Sequence, residues 1–389
     1  MQRVYFDNNA TTPVLPEVFE AMRPYLLEQY GNASSIHRQG QEARAAVERA
    51  RDSVAQLLGC VSSEVVFTSG GTEADNLALF GIVSEGDHVI ISTIEHHAVL
   101  HACDRLEQLG CSVTYLPVDG QGLVNPDDVR RALRPATKLI AVMMANNETG
   151  VLQPVEEIGC VAAEADVYFH TDAVQAAAKV PIDVNRLACD LLAISGHKIH
   201  APKGVGALYV RKGTDLRPIL YGGSHERSRR AGTENVPGIV ALGKAAEIAF
   251  EGLQNGSVAE IGRLRDRLQQ TIVSHTEAVG VNGAGAPRVP NTANIYFDGI
   301  EGEALVIALD LKGLAVSAGA ACSSGASEPS HVLTAMGLSP DRGRASVRFS
   351  LGKQNTSEDV DYALGLIPET VTRLRELSPV YNRKQVVSS

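Results

Sequence analysis

Short apolar runs separated by helical spacings constrain this chain more than any other feature. VVF at 65–67, HVIIS at 88–92, SVTYLPV at 112–118, KLIAVMM at 138–144, VYFH at 167–170, DLLAIS at 190–195 and GALYV at 206–210 are each of strand length. Between them, 96–109, 126–134 and 155–165 carry apolar residues at helical intervals. Ahead of most of them, Ala43, Ala46, Val47, Ala50, Val54, Leu57 and Leu58 recur at helical spacing between Arg38 and Leu58, and Gly59 supplies a C-terminal stop. Strands alternating with helices at this rhythm predict an α/β domain with a largely parallel sheet, and ligands gather at the carboxyl ends of such strands.

The rhythm changes near residue 255. A charged helix is expected over about 257–275, followed by the Gly/Pro-rich VGVNGAGAPRVPNT and a strand-like NIYF. EALVIALDLKG, ASVRFSLG and SEDVDYALGLIPETVTRLREL then predict a smaller α+β unit, and the tail SPVYNRKQVVSS reads as weakly ordered. The formal charge of -10 and the lack of a basic run argue against nucleic acid and anionic lipid as partners. The opening MQRVYFDNNATTP lacks the apolar core of a secretory signal and no stretch reaches the length of a membrane span, so a cytoplasmic protein is expected. Six cysteines occur without a CxxC pair, which argues against a zinc ribbon or a disulfide framework.

Four stretches carry candidate chemistry. TSGGTEADN follows an apolar strand and opens a helix, so the backbone N–H groups around Gly70, Gly71 and Thr72 could cradle a phosphate. An ordinary turn capped by Thr72 fits the same residues equally. HTDAVQA delivers Asp172 and Gln175 to the end of a strand, where an acid could pair with a protonated ring nitrogen and an amide could bond a ring oxygen. AISGHKIHAPKGVG sets Lys198 just beyond a buried-looking strand, a setting that lowers a lysine pKa and suits Schiff-base chemistry. TIEHHAVLHA places His96 after another strand; His97 and His101 share a helix face, but with no third ligand in view metal binding is not expected. A phosphate cradle, an acid and a lysine in order along one α/β domain match the needs of pyridoxal phosphate. A lone Cys322 in SAGAACSSGASEPSHV, too rich in Gly, Ala and Ser to pack as a core, reads as a thiol on a flexible loop.

Eight ordered motifs carry a family resemblance: DNNATTP at 7–13, TSGGTEADN at 68–76, EHHAVL at 95–100, NNETG at 146–150, TDAVQ at 171–175, SGHK at 195–198, RRAGTEN at 229–235 and ACSSGASEPSHVL at 321–333. Over nearly its whole length the chain resembles the NifS/IscS-type cysteine desulfurases, group I with a long cysteine loop, of the class V aminotransferases with PLP fold type I. The resemblance implies a large cofactor-binding domain over 15–255 and a small domain of 1–14 and 256–389 carrying the Cys322 loop. It implies that Lys198 holds pyridoxal 5'-phosphate, Asp172 pairs with its ring nitrogen, Gln175 bonds its ring oxygen and His96 stacks on the ring. Gly71, Thr72, Ser195 and His197 would hold the phosphate, with Thr233 reaching in from the other subunit of a homodimer. Asn147 and Arg348 would hold the carboxylate of L-cysteine.

Cys322 would take the substrate sulfur as a persulfide, leaving L-alanine, and pass it to an iron-sulfur scaffold protein or another acceptor. The same cofactor could instead serve a selenocysteine lyase or a C-S lyase that needs no persulfide. A silent scaffold that binds an assembly partner is the remaining alternative, and it need retain neither Lys198 nor Cys322.

Overall fold

A computed structural model describes residues 2–318, 329–378 and 381. Cys322, its loop and most of the residues after Ser378 lie outside them. The described chain starts with strand β1 (Val4–Tyr5), followed by seven strands of one sheet: β2 (Val65–Thr68), β3 (His88–Ser92), β4 (Ser112–Leu116), β5 (Thr137–Ala141), β6 (Tyr168–Asp172), β7 (Leu191–Ser195) and β8 (Gly206–Val210). Each of the seven apolar runs forms one of these strands. Their order is β2-β8-β7-β6-β5-β3-β4, with β8 antiparallel to both neighbours and the other pairings parallel.

Alternate residues of each strand feed two separate cores. Val65, Phe67, Ile90, Ile140, Phe169, Leu192 and Ile194 pack on one face. Val66, Val89, Ile91, Leu139, Leu191 and Ala193 pack on the other. A sheet covered on both faces is what makes its strands read as continuous apolar runs. The covering helices are α1 (Pro16–Leu27), α2 (Arg38–Leu58), α3 (Gly71–Ile82), α4 (His97–Gln108), α5 (Pro126–Ala132), α6 (Val155–Glu164) and α7 (Val236–Gln254). Helix α2 ends as its sequence requires: Gly59 takes φ 71°, a left-handed position favouring glycine, and its N–H closes on Ala55 O.

Helix α8 (Ser257–His275) opens the second unit, where β9 (Val279–Val281), β10 (Thr292–Phe297), β12 (Ser317–Ala318) and β13 (Ser346–Ser350) form an antiparallel sheet in the order β12-β13-β10-β9. Helices α9 (Gly302–Asp310), α10 (His331–Ala335), α11 (Pro340–Arg344) and α12 (Ser357–Leu377) and the strand β11 (Leu314–Ala315) complete it. Strand β1 pairs with β11, and Val4 and Phe6 share the core of Ile295, Leu305, Val347 and Val371. The chain therefore begins in the second unit before building the first. Among the described residues no helix is long and apolar enough to cross a membrane.

Candidate active site

The strands of the large sheet deliver their residues to one edge. Asp172 ends β6, Ser195 ends β7, the Gly70–Gly71 turn follows β2, and His96 and Asn147 stand in the segments after β3 and β5. A cavity of about 250 Å³ at this edge is lined by Gly71, Thr72, His96, Asn147, Asp172, Gln175, Ser195, His197, Lys198 and Arg348, and also by Asn9 and Asp75. Arg348 arrives from β13 in the second unit. Of the residues singled out from sequence, Thr233 is exposed and does not line this cavity, and Cys322 lies outside the described residues.

The turn after β2 is shaped for a close ligand. Helix α3 begins at Gly71 with Gly70 at the cap, not with Thr72 as cap as the alternative reading of this stretch had it. Its first internal bond runs from Ala74 N to Gly70 O, which leaves the N–H groups of Gly71, Thr72 and Glu73 outside the helix ladder. A Cβ on Gly71 would lie 2.8 Å from Val174 Cγ2, and one on Gly206 would lie 2.7 Å from Gly70 Cα, so both positions need glycine. The helix dipole adds positive potential there.

Lys198 closes a short 3-10 turn directly after β7. Its Nζ donates to the backbone carbonyls of Asn9 and of Ala10, the second at 2.8 Å. In the same cavity Asp172 is buried, and its Oδ1 accepts the Val174 N–H at 2.8 Å. Burial raises its carboxyl to about 6, against the Val174 bond and the Lys198 charge, which lower it. Asp75 and Glu95 are buried nearby; burial first, then the other carboxylates, raises Asp75 well above its ordinary range.

Both histidines of the cavity are neutral at pH 7. Burial, then Lys198, pushes His96 and His197 down to about 4. His96 caps α4 by accepting the Ala98 N–H at Nδ1, 3.1 Å away, so its proton sits on Nε2 and in this arrangement it presents a donor. His97 and His101 have ring centroids 5.0 Å apart, and His331 from α10 brings a third ring to 4.9 Å from His97. The described residues nonetheless contain no group of three or more His, Cys, Asp or Glu arranged to hold a metal.

Arg348 is buried, with Nη2 on Asp7 Oδ1 at 2.7 Å and Nη1 on the Asn147 carbonyl at 2.9 Å, while its buried Nε has no partner. Among the described cysteines, Cys103, Cys111 and Cys189 are buried and Cys160 is exposed. Burial above all pushes Cys60, Cys103 and Cys189 up to about 12, which leaves them unreactive.

Sequence reasoning missed Asn9, Asp75, Glu95 and Lys179. DNNATTP was visible, but nothing local to it says that Asn9 bridges both units. Its buried side chain donates to Asn147 O at 3.1 Å and Thr292 Oγ1 at 2.9 Å, and accepts from Asn291 Nδ2 at 3.0 Å and Lys179 Nζ at 3.3 Å.

These residues fit pyridoxal phosphate. Burial holds the Asp172 carboxyl up even against the Lys198 charge, and a protonated ring nitrogen beside it would favour its ionised form. The glycine turn with Ser195 and His197 offers N–H and O–H donors to a phosphate, and Lys198 stands in the same cavity.

The aminotransferase class-V model matches residues 4–363, and the chain belongs to that family, whose cofactor is pyridoxal phosphate. Its branch is that of the cysteine desulfurases. A cysteine desulfurase IscS of Methanosarcina thermophila is 51% identical over 381 residues, 97% of this chain and 94% of that protein. Among solved structures, a NifS-like protein superposes with TM-score 0.89 at 38% identity over 96% of this chain and all of its own. SspA in complex with cysteine superposes with TM-score 0.81 at 37% identity, over 91% of this chain and 100% of its own.

Proposed function

We propose that this chain is a pyridoxal-phosphate-dependent cysteine desulfurase that converts L-cysteine to L-alanine and carries the released sulfur as a persulfide on Cys322. The observation that supports it best is the single cavity joining Lys198, Asp172, the glycine turn and Arg348. The relatives named cysteine desulfurase supply the substrate class.

Lys198 would carry the cofactor, with Asp172 facing its ring nitrogen, Gln175 its ring oxygen and His96 its ring face. Gly71, Thr72, Ser195 and His197 would hold its phosphate, joined by Thr233 of a second copy in a homodimer. Bound pyridoxal phosphate supplies an electron sink that makes a proton on the substrate's α-carbon labile. Arg348, already oriented by Asp7 and Asn147 O, would fix the substrate carboxylate with Asn147 beside it. Lys198 Nζ would be the base that takes the α-proton. Cys322, as thiolate, would form an S–S bond to the substrate sulfur while the Cβ–S bond breaks and its electron pair stays on the carbon skeleton. That skeleton takes one proton at Cβ and regains one at Cα, and leaves as alanine. The persulfide would then pass to an iron-sulfur scaffold protein or another acceptor in the cytoplasm.

The test incubates the purified, cofactor-loaded protein with L-cysteine and a reductant and measures alanine and sulfide together. Equal amounts from the wild type, and loss of both in Cys322→Ala with the visible band retained, support the reading. Sulfide still released by the variant makes the protein a C-S lyase instead.

A further inference from the structure

Lys179 has no role in the chemistry above, yet its amine lies against the side chain assigned to the cofactor's ring oxygen. It sits in the turn that leaves β6, and its Nζ donates to Gln175 Oε1 at 2.7 Å and to Asn9 Oδ1 at 3.3 Å. A lysine nitrogen carries hydrogens in either protonation state and an amide oxygen only accepts, so the pairing holds the oxygen edge of Gln175 toward Lys179. The nitrogen edge is held from the other side: Nε2 gives one N–H to the Asn9 carbonyl at 3.0 Å. That leaves the second N–H of Gln175, which lines the cavity.

Asn9 cannot turn to release Lys179. It is 1% exposed, and its side chain spends both donors and both acceptor sites on Asn147, Thr292, Asn291 and Lys179. The Asn9 carbonyl, by contrast, is shared between Gln175 and Lys198 Nζ, and Lys198 changes partner whenever it engages another molecule. Lys179 is thus the contact on Gln175 that does not depend on where Lys198 is.

We propose that Lys179 is a positioning residue that fixes the amide plane of Gln175 and so presents its free N–H to the ring-oxygen end of the cofactor. This rests on the reading of the cavity as a pyridoxal phosphate site. Lys198 and Arg348 face Lys179 from the cavity side. Lys179 also lines a second cavity of about 300 Å³, whose titratable lining includes Lys198, His200, Lys244, Lys353, Glu17 and Glu251. Burial, then Lys198 and Arg348, holds the Lys179 amine well below its ordinary range, so it acts here through its hydrogen bonds rather than its charge.

The measurement is the pH midpoint of the visible absorption band of the pyridoxal-phosphate-loaded protein. It is taken for wild type, Lys179→Met, Lys179→Gln, Gln175→Leu and each lysine change combined with Gln175→Leu. An N–H donated to the ring oxygen favours its deprotonated form. Lys179→Met is therefore expected to raise the midpoint by about one pH unit, a tenfold change in the equilibrium, and Lys179→Gln, which keeps a donor, by less. In the Gln175→Leu background neither change shifts it further, because both act on the same amide. A variant that binds the cofactor with the wild-type midpoint overturns the proposal, as do shifts that add to that of Gln175→Leu. Should Lys179→Met not fold, Lys179→Gln alone and combined carries the same comparison. A wild type with no visible band when loaded overturns the site itself, before any substitution is made.

Discussion

His170 Nε2 lies 3.1 Å from Asp75 Oδ1, with both side chains buried and His170 two residues before Asp172 on the same strand. Burial pushes His170 down to about 4, so it gives the acids beside it no positive charge at neutral pH. Asp75, Glu95 and Asp172 thus form a buried acid group that feels the Lys198 charge at Asp172, and a further cation can enter from the cavity that Asp75 and Asp172 line.

Glu95 makes the cost of that burial measurable in the cofactor-free protein. Its carboxylate takes the Ser92 O–H at 2.5 Å and the Met143 N–H at 2.9 Å, yet burial raises it from 4.5 to about 8. Between those values the folded chain binds more protons than the unfolded one, so stability falls as pH rises from about 4.5 to about 8. Glu95→Gln cannot ionise and is expected to flatten this dependence. Thermal melts of both proteins from pH 5 to 8 test it; parallel curves would refute the assignment.

Lys198→Ala is expected to fold, to bind pyridoxal phosphate without a covalent link, and to lose about 10³-fold or more in alanine formation. Borohydride treatment followed by mass measurement distinguishes the two: the wild type should gain the mass of the cofactor and the variant should not.

Arg348→Lys keeps the charge but loses the planar fork that reaches Asp7 and Asn147 O together. Losing one charge-assisted bond of about 1.5–3 kcal/mol raises KM for L-cysteine roughly 10- to 100-fold. Steady-state kinetics should show KM moving more than kcat; an effect confined to kcat would place the arginine elsewhere in the reaction.

Arg51 and Glu226 form a buried pair with bonds of 2.7 and 2.8 Å, and Arg51 also reaches Val65 O while Glu226 accepts the Phe67 N–H. The pair anchors a segment in which Glu226, Arg227 and Ser228 all have positive φ, of 45°, 56° and 62°, costly for residues with side chains. Arg51→Met leaves Glu226 unpaired and is expected to lower stability by about 3–5 kcal/mol. Urea unfolding measures this, and a loss below about 1 kcal/mol would show that the pair is dispensable.

The large sheet was legible because most of its strands carry short apolar runs and its helices are amphipathic, so period and length separate the two. The lysine, the acid and the glycine turn were legible because each follows a strand end. Asn9 was not, since its meaning lies in contacts across 138 and 170 residues of sequence separation, and Lys179, though only four residues from Gln175, carries no pattern that marks it as that amide's partner. The three positive-φ residues at 226–228 carry no glycine to announce them, and the bonds of Glu226 to Arg51 and the Phe67 N–H explain why they hold.

Lys198 leans on carbonyls from residues 9 and 10, and Arg348, which grips Asp7, is made after nearly nine-tenths of the 389 residues. A ribosome that has finished the whole large sheet therefore still holds a cavity with one wall missing. Cofactor capture becomes a late event of synthesis, and a product broken off before β13 has the attachment lysine but no place for a substrate carboxylate.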